Sequence, residues 1–194
     1  MATETGEEKV KAARRARIVE AALACFVEKG FHQTGMREIA ATAGVSLGNL
    51  YNHFPGKEAL IALIASLEAE ELAPMLGALA QGPARPALTR FAHDYLAWAR
   101  QPDNLLLGTE ILAELTRRTE LAAPFATHQR QLEQALADAI ARGRQEGTVR
   151  GGAEPHLLAR WLIDAIEGQA LRAALGMEEG ELDALLIHLL GEMS

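Results

Sequence analysis

Residues 30–54 read GFHQTGMREIAATAGVSLGNLYNHF, and their apolar positions recur at the intervals of α-helices. Ile39 and Leu50 are spaced so that they can face one small core. Gly44 falls where the chain must turn sharply between two helices, because glycine readily adopts the left-handed backbone of such a turn. Ser46 then serves as an N-cap, since its hydroxyl can accept from backbone N–H groups two or three residues on. This order predicts a helix-turn-helix, which places its second helix in the major groove of DNA.

The spacing alone also fits a helix pair packed for purely structural reasons, but the neighbouring residues add a resemblance. The residues that carry it are Phe26, Gly30, Phe31, Thr34, Ile39, Ala40, Ala43, Gly44, Val45, Ser46, Gly48, Leu50, Tyr51, His53, Phe54, Lys57, Glu58 and Leu60. Together they closely resemble the amino-terminal domain of the TetR family of bacterial transcriptional regulators, over roughly residues 14–74. Two positions depart from the family's pattern. Gly35 stands where Ser or Thr usually caps the second helix, and Leu47 replaces a frequent Lys or Arg.

The composition predicts an all-α fold, because Ala, Leu, Glu and Arg dominate the 194 residues and strand signals are nearly absent. We expect a flexible arm over residues 1–13 and a three-helix helix-turn-helix DNA-binding domain over 14–74. The resemblance implies that residues 75–194 form a larger helical domain for effector binding and dimerisation. Helices are predicted over residues 14–28, 36–43, 46–53, 57–79, 86–100, 104–116, 120–145, 155–175 and 179–192.

The charge is unevenly distributed along the chain. The formal net charge is −7, yet the stretch from Lys9 to Lys57 holds eight basic and three acidic residues, and eleven basic and nineteen acidic residues follow from Ile61 onward. We call the basic amino-terminal part the head and the acidic remainder from Ile61 onward the body. A basic head followed by an acidic body suits a protein that docks on DNA in one orientation, although solvated helix faces also carry charge runs. No run of about 20 uncharged apolar residues and no signal peptide is found. We therefore expect a cytoplasmic protein without a membrane partner.

The head supplies the predicted contacts to double-stranded DNA. Asn49 is the best base reader, since an Asn amide can bond adenine N6 and N7 together, with a local cap or a solvated residue as the alternative. The resemblance assigns phosphate contacts to Tyr51 and His53, for which core packing is the alternative. Arg14, Arg15 and Arg17 are either phosphate contacts or solvated. The predicted DNA-binding residues are Thr34, Arg37, Ser46, Leu47, Gly48, Asn49, Tyr51, Asn52, His53 and Lys57.

Two features of the body bear on function. Wide apolar faces on the last two helices fit either a dimer interface, as the resemblance implies, or intrachain core. The predicted interface residues are Leu158, Trp161, Leu162, Ile166, Leu182, Leu186 and Leu189. An aromatic stripe fits either plain core or the pocket for a small-molecule effector that the resemblance implies. The predicted pocket residues are Phe91, Tyr95, Trp98, Ile111, Phe125, His128 and Trp161.

The sequence gives little support for catalysis. None of the three serines lies in Gly-x-Ser-x-Gly, and no P-loop or dinucleotide-binding glycine pattern occurs. The six histidines lack metal-ligand spacing, so neither a zinc site nor a cofactor is predicted. We therefore expect a homodimeric repressor that binds an inverted-repeat operator and is released by an effector, rather than an enzyme. The alternative is an effector-independent nucleoid-associated or adaptor protein with the same head.

Overall fold

The computed structural model describes residues 6–118, 122–150, 152–178 and 180–191. Every regular element in these ranges is an α-helix, which confirms the predicted fold class. No helix there is both long and apolar enough to cross a membrane. The helices are α1 (Gly6–Gln33), α2 (Met36–Thr42), α3 (Leu47–His53), α4 (Lys57–Leu79), α5 (Ala84–Ala99), α6 (Pro102–Arg117), α7 (Ala122–Gln145), α8 (Pro155–Ala174) and α9 (Leu182–Leu190).

The chain divides into two compact units. The first unit contains the chain up to Ser66 together with Leu106–Ala123, and the second contains Leu67–Leu105 with the chain from Pro124 onward. The division therefore falls inside α4, before the predicted boundary at residue 74, and it places most of α6 with the amino-terminal helices. The predicted helix ends at residues 120, 179 and 192 lie outside the described residues.

Helix α1 begins earlier than the sequence patterns predicted. We expected a flexible arm over residues 1–13, but α1 is already helical at Gly6, and only residues 1–5 of that arm lie outside the described residues. Residues 7–13 read EEKVKAA and are nearly all good helix formers. Glu7 and Glu8 also lie in the first turn, where negative charge favours the helix N-terminus. The polar composition of this stretch, which suggested a flexible arm, is therefore compatible with a helix.

The first unit contains the predicted helix-turn-helix. Helix α1 packs on α2, and α2 packs on α3. The rings of Phe26 and Phe31 stack with centroids 3.9 Å apart in the core. Gly44 adopts a left-handed backbone with φ of 63° in the turn, and the Ser46 hydroxyl accepts from the backbone N–H of Asn49 at 3.2 Å. Both the turn and the cap are therefore confirmed.

The second unit is a helical body in which α5 packs on α8 and α9. Its core is almost entirely aliphatic, apart from the buried Phe91 and Tyr95 rings. Arg85 is a buried exception, and its guanidinium donates to the carbonyl oxygens of Thr148 at 3.1 Å and Leu190 at 3.3 Å. These bonds attach the last turn of α9 to the start of α5.

The structure corrects most of the predicted dimer interface. Six of the seven predicted residues are buried within the chain itself, so they have almost no surface for a second copy: Leu158, Leu162, Ile166, Leu182, Leu186 and Leu189. The seventh, Trp161, is 46% exposed. The apolar faces were correctly recognised, but they pack against α5 and against each other. Intrachain core, the alternative left open by the sequence, accounts for these six residues.

Candidate nucleic-acid interface and cavity

Helix α3 presents one face to the core and the opposite face to solvent. Leu50 is fully buried, whereas Gly48, Tyr51 and Asn52 are exposed. Tyr51 is 47% exposed, so its ring is not a core residue as the alternative interpretation required. A Cβ at Gly48 would meet no atom within 4 Å, which leaves the backbone open to close approach. The exposed face is therefore narrow, polar and short enough to enter a major groove.

A cleft of about 500 Å³ separates α3 from the first turns of α1. Its lining residues are Gly6, Glu7, Val10, Lys11, Arg14, Asn49, Asn52 and His53. The Asn49 Oδ1 atom is buried at this cleft and has no hydrogen-bond partner. A buried acceptor without a partner is costly, so Asn49 is better suited to accept a bond from a ligand than to act as a local cap. Lys11 was missed by sequence reasoning because we placed it in a flexible arm.

Positive charge gathers around His53. Burial lowers the pKa of His53, and the charges of Lys11, Arg14 and Arg15 lower it further. The imidazole is therefore neutral near pH 7 and can donate a hydrogen bond without contributing a charge. The Arg15 guanidinium lies 5.3 Å from the centre of the Phe54 ring. The Arg17 guanidinium donates to the Ala43 carbonyl at 2.6 Å and so supports the turn.

Two of the predicted DNA-binding residues have roles inside the fold. Thr34 is 1% exposed, and its hydroxyl donates toward the carbonyl oxygens of Gly30 at 2.8 Å and Cys25 at 3.0 Å. Its assignment to DNA is corrected, because the hydroxyl is buried and already bonded. The Lys57 ammonium donates to the carbonyl oxygens of Phe31 and Thr34. An ammonium has three N–H groups, so one remains for a phosphate and the prediction for Lys57 stands untested.

The other predicted contacts are accessible or border the surface. Arg37 is exposed in the first turn of α2 and makes no hydrogen bond or ion pair with a described residue. Ser46 is exposed at the N-cap of α3, and Leu47 is half-buried in its first turn. These residues flank the exposed face of α3. A phosphate backbone could meet Arg37 while base edges meet α3.

The second unit contains a separate cavity of about 130 Å³ between α4, α5 and α7. Three predicted pocket residues line it, namely Tyr95, Phe125 and His128. The Nδ1 atom of His128 is buried and has no hydrogen-bond partner. The remaining wall is mostly apolar and includes Leu72, Leu76 and Leu132. A mostly apolar cavity with a few polar groups is the usual form of a small-molecule site.

The other four predicted pocket residues do not line this cavity. Phe91 is buried in the core and stacks on Tyr95 with ring centroids 5.5 Å apart. Trp98 stacks on the other side of Tyr95 and donates its indole N–H to Glu71 at 3.0 Å. Ile111 is buried in the first unit, and Trp161 is exposed on α8. Their assignment to the pocket is corrected, because the stripe on α5 serves mainly as core.

Sequence reasoning missed the acidic group of this cavity. Glu68 lines it from α4, and burial, reinforced by the negative charges of Glu167 and Glu71, raises the pKa of Glu68 to about 7. Tyr95 donates its hydroxyl to Glu167 at 2.8 Å, and burial raises the pKa of Tyr95. Glu68 itself makes no hydrogen bond or ion pair with a described residue. Its place in a run of three acids within residues 68–71 made it resemble a solvated face.

The first unit defines the class of this protein. A capped helix-turn-helix with an outward polar face on α3 and basic side chains around it is the structure of a DNA-binding regulator. The family profile described as "Bacterial regulatory proteins, tetR family" matches residues 18–64. The amino-terminal helices therefore resemble this family, and the protein is a DNA-binding transcriptional regulator.

Curated relatives match nearly the whole chain. An HTH-type transcriptional repressor of Mycobacterium tuberculosis is 29% identical over 175 residues, which are 90% of this chain and 90% of the relative. The repressor AcnR of Corynebacterium diphtheriae is 28% identical over 173 residues, 89% of this chain and 87% of the relative. The similarity therefore extends through the helical body as well as the head.

Solved structures show the same fold. GusR of Salmonella enterica superposes with a TM-score of 0.77 at 27% identity, covering 92% of this chain and 95% of that one. A regulator from Saccharomonospora viridis, solved in complex with choline, has a TM-score of 0.77 at 22% identity, with 92% and 94% covered. FadR of Bacillus subtilis, solved with stearoyl-CoA, has a TM-score of 0.70 at 19% identity, with 92% and 99% covered. The last two show likeness of fold alone.

Proposed function

We propose that this regulator is a homodimeric repressor that leaves a two-fold operator when a small molecule binds its helical body. The observation that carries the proposal is the pairing of an accessible helix-turn-helix in one unit with a mostly apolar cavity in the other. The repressor names of the M. tuberculosis and C. diphtheriae relatives support the direction of control. Because the partner is chromosomal DNA, the proposal places the protein in the cytoplasm.

A face on α8 and α9 supports the dimer. More than half of the large apolar side chains that are exposed among the described residues lie between positions 161 and 187: Trp161, Leu171, Leu175, Met177 and Ile187. The small residues Ala165 and Gly168 follow Trp161 at the next helical turns of α8, which permits a second helix to approach closely. An exposed apolar patch of this kind indicates a protein contact. We therefore assign the interface to this outer face.

The proposed control is a two-state equilibrium. Both recognition helices of a dimer must enter successive major grooves about 34 Å apart. An effector that binds the body better when the heads are wrongly spaced lowers affinity for the operator. The effector can shift this equilibrium only as far as its affinities for the two states differ. An affinity ratio of about 10⁴ is needed to reverse a 99:1 population.

The fold does not name the effector. Neighbours with this fold were solved with choline and with stearoyl-CoA, which differ in charge and size. The effector class must therefore come from the residues of this cavity.

Selection from a random duplex library tests the DNA half of the proposal. The purified chain should retain sequences that share an inverted repeat at near-physiological salt. Retention of many unrelated sequences with strong salt dependence would contradict it and favour the architectural alternative.

Sedimentation velocity tests the dimer half. Leu171→Glu places a charge on the outer face of α8 and should convert the dimer to a monomer. Leu112→Glu is the matched control, because Leu112 is also an exposed leucine but lies on α6 in the first unit. A wild-type monomer at tens of micromolar, or equal effects of the two variants, would contradict the proposed interface.

A further inference from the structure

The cavity of the second unit has a distinct chemical character. Its lining is of two kinds, because Phe125 and the leucines of α4 and α7 are apolar while the polar lining residues are Glu68, Tyr95, His128, Gln129 and Gln131. No lysine or arginine is among its lining residues. An anionic ligand would find no cation there to offset the loss of its hydration.

The titratable groups around Glu68 come from several helices. Glu71 lies on the same helix, Tyr95 faces it from α5, His128 lines the same space from α7, and Glu167 approaches from α8. The Glu167 carboxylate accepts a hydrogen bond from the Tyr95 hydroxyl, and the Glu71 carboxylate accepts one from the Trp98 indole N–H. Among the described residues, no donor bonds Glu68, in contrast to the other two carboxylates. A positively charged donor in the cavity would satisfy it.

A second atom also lacks a partner. The buried Nδ1 of His128 accepts a hydrogen bond when the ring proton is on Nε2. Glu68 and His128 therefore offer two acceptors, while Phe125 offers an aromatic ring to a cation. An ammonium group has several N–H donors and suits such a set better than a hydroxyl, which has one.

We propose that the effector of this regulator is a small organic monocation, a protonated amine on a compact apolar body, with its ammonium at Glu68 and His128. This inference rests on the proposed effector function and names the ligand class. The volume of about 130 Å³ limits the body to about the size of one ring, since a cavity of roughly 150 Å³ holds benzene. Long acyl chains do not fit this space.

Ionisation of Glu68 couples ligand binding to pH. With the pKa of Glu68 near 7, the carboxyl is largely protonated at pH 5 and charged at pH 8. Amine affinity should therefore rise over this range and level off above it. The groups around this carboxyl are the same in each state, namely Glu71, Tyr95, His128 and Glu167, so Glu68→Gln isolates its contribution.

Isothermal titration with ligands of similar shape but different charge tests the inference on the full chain. The probes are benzylamine, benzyl alcohol and benzoate, and cyclohexylmethylamine, cyclohexylmethanol and cyclohexanecarboxylate. At pH 8 each amine should bind at least about tenfold more tightly than its alcohol and acid. Glu68→Gln should remove that preference and its pH dependence, while Glu70→Gln, at an exposed position of α4, should keep both.

Each outcome is decisive. Tighter binding of the acids or alcohols, or an amine preference that survives Glu68→Gln, would overturn the ligand class while leaving an effector site in place. Absence of binding by all six probes at millimolar concentration would overturn the site and the effector half of the proposed function together. Operator binding is measured without any probe, so failure of the DNA half is recognised separately. Circular dichroism confirms that both variants fold.

Discussion

The Glu110 carboxylate on α6 accepts a hydrogen bond from the backbone N–H of Phe31 at 2.8 Å. Phe31 follows Gly30, where α1 breaks with φ of 77° and ψ of 163°, a backbone conformation essentially confined to glycine. A Cβ at Gly30 would meet the same carboxylate at 2.9 Å. Glu110 therefore fixes the break that directs the chain from α1 into α2. This bond joins residues far apart in sequence but within the first unit.

Removal of the Glu110 carboxylate should destabilise the first unit. Glu110→Ala leaves the Phe31 amide without its acceptor, so we expect a loss of about 1–2 kcal/mol in the free energy of unfolding. Urea denaturation measures it. Glu110→Gln retains an acceptor oxygen and should cost clearly less. Equal stability of the alanine variant and wild type would show that water replaces the bond freely.

Replacement of Lys57 and replacement of Arg37 by alanine should have different effects on folding stability, although each residue carries one positive charge in the first unit. Lys57→Ala removes donors to the Phe31 and Thr34 carbonyls, so it should lower the unfolding free energy by about 1–2 kcal/mol as well as weaken DNA binding. Arg37→Ala should leave stability unchanged and reduce the salt slope of binding by about one, because Arg37 is exposed and forms no ion pair with a described residue. A thermal melt and a salt titration separate the two. Unchanged slopes in both variants would remove these residues from the phosphate contacts.

Asn49 should affect specificity more than general affinity. Its unpartnered Oδ1 lies at the cleft beside the exposed face of α3. Asn49→Ala should cost roughly 1–3 kcal/mol on sites that carry the matching base pair and little on sites that lack it. Asn52→Ala, one helical turn on, provides the comparison at an exposed position. Uniform weakening across all sites would assign Asn49 to structure.

Glu68 should make folding stability depend on pH. Its pKa is near 7 in the folded protein and near 4.5 when exposed, so the unfolded chain releases this proton first as pH rises. Stability from this group is therefore complete below pH 4.5 and falls between about pH 4.5 and 7, by on the order of 3 kcal/mol. Glu68→Gln should flatten that part of the profile relative to Glu70→Gln. Parallel profiles would mean that Glu68 remains ionised in the folded protein.

Local sequence determined much of what could be predicted. The turn at Gly44 and the cap at Ser46 depend on neighbours within a few residues, and both occur as expected. Helix α4 also has the predicted bounds, because Pro55 and Gly56 precede it and Gly82 follows it. Such features are set by backbone preferences that a short window contains.

Contacts between distant helices could not be predicted in the same way. Periodicity identifies an apolar face but not the helix that covers it, so the inner leucines of α8 and α9 were assigned to a dimer. In the sequence Glu68 is indistinguishable from its solvated neighbours, because its burial comes from α5, α7 and α8, which are distant along the chain. Thr34 likewise resembled a phosphate contact, although its hydroxyl serves the end of α1.

The most direct test of a two-headed dimer is the dependence of affinity on operator spacing. The measurement compares the selected inverted repeat with versions in which five or ten base pairs are inserted between its half-sites. An insertion of five base pairs rotates one half-site by about half a turn of DNA, so affinity should fall at least about tenfold. An insertion of ten base pairs restores the rotation but lengthens the spacing, so affinity should recover in part only if the heads can separate further. Equal affinity for all three spacings would mean that each head binds alone, and it would contradict the dimeric regulator proposed here.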